Sequence, residues 1–251
     1  MIISTLILLS ALVLSLNVLF RVKLLHRTWH TPNGYSVTCI LSRLSNVYLV
    51  RGNGITVLVD TGLASRRAKL LKRLRHYGVE RIDYLLLTHA HFDHVGNAAY
   101  LRQTYGAQVV AHSTEAELLG SGQSAPFVPA TRLWRLLLRS ARNFAPAFEP
   151  CAPNLQFDTS LTLPGTHISL HHTPGHTPGS ASVLVDGTAL LTGDALLGIF
   201  NFSINNPFAV SVKDMLSSWK TLAAMGARVL LPGHGSLKRP AHLRRALRRA
   251  R

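Results

Sequence analysis

Short apolar runs that end at turn residues recur along most of the chain and predict its strands. Strands are predicted at residues 36–41, 47–50, 55–60, 82–87, 108–111, 167–172, 181–185, 189–192 and 229–231. Apolar positions at helical spacing predict helices at residues 66–77, 97–105, 211–225 and 238–251. Because strands and helices alternate, we expect an α/β fold in which most strands are buried.

The first twenty residues depart from this pattern, since residues 1–20 contain no charged side chain. A helix of this length would be about 30 Å long, which matches the hydrocarbon thickness of a bilayer. Arg21, Lys23 and Arg27 follow the run and no basic residue precedes it. The positive-inside rule therefore predicts a single-pass membrane anchor with the rest of the chain in the cytoplasm. Two alternatives stay open: a cleaved signal peptide, which would give a secreted or periplasmic protein, and a buried or interfacial helix.

Four segments are expected from these patterns. They are an anchor at residues 1–20, a basic juxtamembrane linker at 21–35, a folded α/β domain at 36–236 and a basic tail at 237–251. Within the domain, residues 113–153 are predicted to form a variable insertion with two short helices. Arginines recur there at intervals of three, four and three residues, at positions 132, 135, 139 and 142. This helix either exposes a solvated basic face or caps the functional site and contacts a membrane.

The chain is strongly basic, with 27 Lys and Arg against 11 Asp and Glu and a formal net charge of +16. Such a charge attracts nucleic acid phosphates, but seven of the basic residues lie in the tail, at positions 238, 239, 244, 245, 248, 249 and 251. Behind a membrane anchor, that tail is better placed to contact anionic lipid headgroups. We therefore expect membrane lipids, and not nucleic acid, as partners. Cys39 and Cys151 have no metal-ligand spacing and suit a reducing compartment, although one disulfide stays open.

Candidate metal ligands stand where predicted strands end. The segment THAHFDH, residues 88–94, follows the strand at 82–87 and contains His89, His91, Asp93 and His94. Three later strands are each followed by a turn that contains one candidate ligand. These ligands are His176, Asp194 and His234. Imidazole and carboxylate groups suit Zn²⁺, with Fe and Mn as alternatives. Strand ends at one edge of a sheet can bring all of these groups into a single cleft.

These residues resemble the signature of the metallo-β-lactamase superfamily over residues 36–236. The H-x-H-x-D-H motif is followed in the family order by the three single ligands, and Asp60 matches a conserved supporting aspartate of the family. The resemblance implies an αββα sandwich with two divalent ions. It assigns His89, His91 and His176 to the first ion, Asp93, His94 and His234 to the second, and Asp194 to both.

The resemblance also implies a reaction, in which a hydroxide held between the two ions attacks the substrate. Asp93 would be the catalytic residue that accepts or relays a proton. Asp60 would orient a ligand imidazole, and the alternative for Asp60 is a carboxylate that only caps its turn. A chain that kept the fold and lost its metal would be a non-catalytic, membrane-tethered binding scaffold.

Departures from subfamily patterns narrow the substrate. The aspartate at position 194, the shared ligand, is similar to the shared aspartate of the thioesterases, lactonases and phosphodiesterases of the superfamily. Its presence disfavours antibiotic hydrolysis. Leu197 stands where many lactonases carry tyrosine, so no specialised subfamily is assigned. We expect hydrolysis of an ester, thioester or lactone in a small or amphiphilic acyl substrate. The alternative is a phosphodiesterase or nuclease, including a phospholipase D-like enzyme; the sequence does not identify the substrate-binding residues.

Overall fold

The computed structural model describes residues 27–42, 44–131, 136, 145–200 and 203–250. The predicted anchor at residues 1–20 lies outside the described residues, and so does most of the predicted arginine-rich helix. Within the described ranges, no helix combines the length and the apolar content that a membrane crossing requires.

The first sheet has seven strands, which lie side by side in their order along the chain. They are β1 (Thr28–His30), β2 (Ser36–Leu41), β3 (Val47–Gly52), β4 (Ile55–Val59), β5 (Tyr84–Leu86), β6 (Gln108–His112) and β7 (Leu155–Phe157). The pairings among β1 to β4 are antiparallel, and those among β4 to β7 are parallel. In the parallel half, the loops after β4 and β5 therefore leave the sheet at the same edge.

The second sheet has five strands in the spatial order β12-β11-β10-β9-β8. They are β8 (Ser160–Thr162), β9 (Ile168–His172), β10 (Ala181–Val185), β11 (Ala189–Gly193) and β12 (Val229–Pro232). Only the β11–β12 pairing is parallel. The loops after β11 and β12 consequently also meet at one edge.

Six α-helices are described. They are α1 (Arg67–His76), α2 (Phe92–Val95), α3 (Ala98–Tyr105), α4 (Ala116–Ser121), α5 (Val212–Ala224) and α6 (Pro240–Arg249). The helix α5 begins at Ser211, whose hydroxyl accepts a hydrogen bond from the Asp214 amide at 3.2 Å. The helix α3 ends at Gly106, which adopts φ +67°, a conformation that glycine allows at little cost.

Three clusters of buried side chains hold the layers together. The central cluster joins the two sheets and includes Val37 and Val50 from the first and Val183 from the second. A second cluster packs helices such as α1 on the outer face of the first sheet. A third packs α5 and α6 on the outer face of the second sheet, with Trp219 and Leu243 buried. The order helix, sheet, sheet, helix confirms the expected αββα sandwich.

The sheet and helix layers extend beyond the predicted domain limits. Strand β1 pairs with β2, so the first sheet begins at Thr28, inside the segment predicted as a linker. Helix α6 lies inside the predicted tail, and its Leu243 is 1% exposed against the layer formed with α5. Both segments belong to the sandwich because each buries part of its surface there. In the insertion, α4 is one described helix, and residues 137–144 are outside the description.

Candidate metal centre

The segment 88–94 begins where the buried strand β5 ends. His89 and His91 lie in the loop, and His91 is the residue that precedes α2. Asp93 and His94 belong to the single turn of that helix. The two pairs therefore lie close together, and the ring centroids of His89 and His94 are 4.2 Å apart.

The remaining predicted ligands come from the second sheet. His176 follows β9, Asp194 follows β11, and His234 follows β12. The structure brings all seven predicted ligands together, and their ligand atoms fall into overlapping groups whose members lie within 4.8 Å of one another. We name two of these the first ligand group (His89, His91 and His176) and the second ligand group (Asp93, His94 and His234).

In the first ligand group, three ring nitrogens converge. His91 Nδ1 lies 2.9 Å from His89 Nε2 and 3.0 Å from His176 Nε2. The opposite nitrogens of two rings are engaged, since His89 Nδ1 lies 3.0 Å from Thr88 Oγ1 and His176 Nδ1 lies 3.0 Å from the Phe208 carbonyl. A ring that donates from Nδ1 has a lone pair on Nε2. These lone pairs therefore point at one shared position.

The second ligand group follows the same rule. His94 Nε2 and His234 Nε2 lie 3.1 Å apart, while their Nδ1 atoms bond to Asp60 Oδ2 at 2.8 Å and to the Leu44 carbonyl. Asp93 Oδ2 lies 3.4 Å from His234 Nε2 and 3.7 Å from His94 Nε2. Two imidazoles and a carboxylate thus face a second position.

Asp194 lies between the two ligand groups. Its Oδ1 is 3.5 Å from His94 Nε2, and its Oδ2 is 3.5 Å from His176 Nε2 and 3.3 Å from His234 Nε2. Its carbonyl oxygen accepts a hydrogen bond from Asn206 Nδ2 at 2.9 Å. One carboxylate can therefore serve both positions.

Asp60 is linked by hydrogen bonds to a member of each ligand group. It is 2% exposed and adopts φ +58°, which is uncommon for a residue with a side chain. Besides His94, its carboxylate accepts hydrogen bonds from the Thr88 amide at 2.9 Å and from the Thr88 hydroxyl at 2.9–3.0 Å. The same hydroxyl faces His89 Nδ1. Asp60 thus contacts one proposed ligand directly and is linked to another through Thr88.

The imidazoles of the two ligand groups differ in their protonation state. Burial, reinforced by neighbouring imidazoles, holds the pKa values of His89 and His91 well below their usual range. Burial also lowers the pKa of His176. These three rings are neutral at pH 7, which is the form that binds a metal.

The second group is the charged one. Burial alone would lower the pKa of His94, but the carboxylates of Asp93, Asp60 and Asp194 raise it to about 10. Burial would also lower the pKa of His234, but the carboxylates of Asp194 and Asp93 together raise it above its usual value. Burial would raise the pKa of Asp194, but the neighbouring imidazoles hold it well below its usual range. Positive charge is therefore stabilised where a cation would lie.

The residues present fit two metal ions. Nitrogens that share a tetrahedral Zn²⁺ at about 2.1 Å lie about 3.4 Å apart, close to the spacings found in both groups. Asp194 Oδ1 is buried and has no hydrogen-bond partner among the described residues. An unpartnered buried carboxylate oxygen is costly, and a cation would satisfy it. Imidazole and carboxylate ligands suit divalent zinc, iron or manganese.

Several residues of the site were not predicted from sequence. Thr88 and Asn206 support ligands, and Phe127 stacks on His91 with ring centroids 4.0 Å apart. Thr88 stands next to the motif, so its position was a signal. Phe127 and Asn206 reach the site only through the path of their loops, which no local pattern indicates. His171 and His172, in β9, bond to Ser169 and to the Pro178 carbonyl and lie outside both ligand groups.

Comparisons with known proteins agree with this geometry. A family profile described as the metallo-beta-lactamase superfamily matches residues 42–234. The chain is 25% identical over 208 residues to a protein of Methanocaldococcus jannaschii described as a probable metallo-hydrolase, and the match covers 82% of this chain and 91% of that one. It is 28% identical over 190 residues to the hydroxyacylglutathione hydrolase GloC of Haemophilus influenzae, covering 71% of this chain and 79% of that one.

The fold also resembles solved structures. The crystal structure of an archaeal metallo-beta-lactamase superfamily protein from Sulfolobus tokodaii has a TM-score of 0.61 and 24% identity, and the match covers 86% of each chain. At this identity the likeness establishes the fold and not the substrate.

Proposed function

Because the chain belongs to the metallo-β-lactamase superfamily, we propose that this metallo-hydrolase binds two divalent ions and cleaves an ester, thioester or lactone bond. The observation that carries the proposal is the position of Asp194. Its two oxygens face the imidazoles of both ligand groups at 3.3–3.5 Å. A site with one shared carboxylate between two sets of ligands fits a pair of adjacent ions, with Zn²⁺ first and Fe or Mn as alternatives.

The chemistry divides between the ions and the chain. When bound, two divalent ions supply a water of lowered pKa as nucleophile and a Lewis acid for the oxygen of the scissile group. The chain fixes the ligands, because Thr88, Asp60, Phe208 and Leu44 each engage the ring nitrogen that faces away from the cleft. Preorganised ligands need no rearrangement during the reaction.

Asp93 is the residue that we assign to proton transfer. Its Oδ2 faces His94 and His234, and Oδ1 would be the oxygen that accepts a proton from the attacking water. Its side chain is 14% exposed, whereas that of His94 is fully buried. A carboxylate that reaches solvent can pass the proton onward, as a general base must between turnovers.

An aromatic wall (Phe92, Phe127 and Phe208) supports an apolar acyl group as part of the substrate. Phe127 lies nearly parallel to His91, at an interplanar angle of 14°. Phe92 and Phe208 meet Phe127 edge to face, with centroids 6.0 and 5.6 Å away. Partly exposed aromatic rings beside a polar centre are typical of sites that bind substrates with an apolar body.

One relative favours the thioester among the three bonds. The similar protein GloC of Haemophilus influenzae is named a hydroxyacylglutathione hydrolase, and transfer of that chemistry to this chain is part of the proposal. A thioester, an ester and a lactone all present a carbonyl carbon, so one arrangement of ligands serves all three.

A substrate panel tests the proposal. Zinc-loaded protein is assayed with p-nitrophenyl esters, an S-acyl thioester, an acyl lactone and bis-p-nitrophenyl phosphate. We expect turnover of a carbonyl substrate, at least a thousandfold slower in His91→Ala and unchanged in His171→Ala, whose ring lies outside both ligand groups. Turnover of the phosphodiester alone would establish the phosphodiesterase alternative. Metal binding without any turnover would favour the binding scaffold.

Membrane attachment is a separate part of the proposal. Helix α6 buries Leu243 and exposes four arginines, at positions 244, 245, 248 and 249. Together with the uncharged residues 1–20, this helix supports a cytoplasmic domain held against anionic lipid. Fractionation of the full chain tests the anchor, and binding of a chain that starts at Arg27 to vesicles with and without phosphatidylserine tests the helix. A shortened, soluble product outside the cytoplasm would establish the signal peptide instead.

A further inference from the structure

Glu115 is a buried carboxylate that belongs to neither ligand group. It lies in the 3-10 turn Ser113–Glu115, directly before α4, and is 1% exposed. A buried carboxylate needs hydrogen-bond donors. Its position, sealed from solvent and close to the metal centre, raises the question of what it binds.

Among the described residues, its carboxylate accepts three hydrogen bonds, and all of them come from loops that carry proposed ligands. Glu115 Oε2 accepts from the Ala90 amide at 2.8 Å. Its Oε1 accepts from the Thr177 hydroxyl at 2.7 Å and from the Gly179 amide at 2.9 Å. Ala90 lies between His89 and His91, and Thr177 follows His176. The carboxylate therefore bridges the two loops that supply the first ligand group.

These two loops come from different sheets. The segment with Ala90 leaves β5 of the first sheet, and the segment with Thr177 leaves β9 of the second. The sheets meet through packed side chains and a few hydrogen bonds, such as the one from the Tyr48 hydroxyl to the Pro232 carbonyl at 2.7 Å. A direct backbone bond, from the Ala181 amide to the Thr88 carbonyl at 2.8 Å, joins the same segments at one further point. Glu115 adds three bonds around the ligands themselves.

We propose that Glu115 is a positioning residue, which sets the spacing between His176 and the pair His89 and His91 and so determines the zinc affinity of the first ligand group. The inference rests on the proposed metal centre but not on the identity of the substrate. Metal sites depend strongly on such outer contacts, which hold the ligands in the bound geometry before the ion arrives.

The chemistry of the bridge requires a carboxylate. All three partners are donors, and an ionised carboxylate only accepts. A glutamine would turn an NH₂ group towards either Ala90 or the Thr177–Gly179 pair, so at least one bond would become a donor–donor contact. The position opposite is equally restricted, because a Cβ on Gly179 would lie 2.6 Å from Glu115 Cγ and 2.7 Å from Oε1. Any side chain there would displace the carboxylate.

The test compares Glu115→Gln with Glu117→Gln. Both changes remove one negative charge within the same short segment, but Glu117 is exposed. Zinc affinity is measured by competition with a chromophoric chelator, and the Co²⁺ absorption spectrum reports the ligand geometry. We expect Glu115→Gln to weaken zinc binding by about 10- to 100-fold and to change the Co²⁺ spectrum, while Glu117→Gln matches wild type.

A second variant keeps the charge and removes the bridge. Gly179→Ala should reproduce the loss of zinc affinity, and the double variant Glu115→Gln with Gly179→Ala should be no weaker than the single ones, because they break the same contact. Thermal unfolding of the metal-free proteins in EDTA reports any purely structural cost. A lower Tm with zinc affinity within twofold of wild type would overturn the positioning role. Wild-type protein that binds no zinc would overturn the metal centre itself, and the inference with it.

Discussion

The two ligand groups are built from similar residues but differ in exposure and charge. The members of the first are at most 3% exposed. In the second, the side chains of Asp93 and His234 are 14% and 19% exposed, and only His94 is fully buried. The first group has three neutral imidazoles whose pKa values are lowered, whereas the pKa values of the imidazoles in the second are raised by Asp93 and by the carboxylates around the group.

This difference predicts two ions with different behaviour. The first ligand group is preorganised by burial and holds no proton that must leave at neutral pH. The second ligand group is partly exposed to solvent, and its imidazoles are protonated when no metal is bound. We therefore expect the second ion to exchange faster and to depend more strongly on pH.

Removal of Asp194 should have the largest effect, because its carboxylate is common to both groups. In Asp194→Ala, buried imidazoles lose the charge that faces them, and we expect zinc content to fall from about two ions per chain to below one and hydrolysis to fall at least a thousandfold. Elemental mass spectrometry and the ester assay measure the two quantities.

The matched control for that experiment is Asp214→Ala, which removes an exposed aspartate from the first turn of α5 and should keep both ions. If Asp194→Ala retained one tightly bound ion and full activity, the carboxylate would not be shared, and the two groups would act independently.

The substitution Asp60→Asn should lower the zinc affinities of the two ligand groups by different amounts. The carboxylate contacts His94 directly at 2.8 Å and reaches His89 only through Thr88. An asparagine retains the shape but loses the charge that orients the imidazole of His94. We therefore expect about a 10- to 100-fold loss of affinity for the ion of the second ligand group, which is the weaker ion, and a smaller loss for the tighter ion of the first group. A two-step zinc titration resolves both affinities. Equal losses in both steps would contradict the distinction.

The next largest effect is expected in the pH dependence of zinc affinity. The pKa of His94 lies near 10 in the metal-free protein, so below that pH its proton must leave before zinc binds. For each proton released, affinity for the second ion should fall about tenfold per pH unit as the pH decreases from 9 to 6. The first ion should show a flatter profile over this range, because its ligands are already neutral.

Calorimetry in buffers of different ionisation enthalpy counts the protons released in each step. We expect between about one and two protons with the ion of the second ligand group, from His94 and His234, and fewer with the ion of the first. Release of protons mainly with the tighter ion would reverse the assignment of charge to the two groups.

The sequence indicated the side chains that cluster at the candidate metal centre, but not the residues that support them. All seven proposed ligands follow predicted strands within short motifs, and the family resemblance implied that they meet; the structure draws them from the ends of strands in both sheets. Glu115 carries no such signal, because its three partners are brought to it only by the packing of two sheets. Strands β1, β7 and β8 were not predicted, since each is a three-residue edge strand. Three residues are too few to show an alternating pattern.

The smallest effect is expected at Thr88, and it sharpens the comparison most directly. Its hydroxyl donates to Asp60 and can accept from His89 Nδ1. Thr88→Val removes this link while the Thr88 backbone amide still bonds to Asp60. The ring of His89 stays packed by its neighbours, so we expect only about a three- to tenfold loss of zinc affinity, confined to the tighter ion.

Thr88→Ser retains the hydroxyl and is the matched control, which should bind both ions as wild type does. The weaker ion should be unaffected in Thr88→Val, because the contact between Asp60 and His94 does not pass through this side chain. If Thr88→Val instead weakened the second ion as much as the first, Asp60 itself would have moved. The hydroxyl would then act by holding the carboxylate in its φ +58° turn, and both ligand groups would depend on one buried hydrogen-bond network and not on two separate contacts.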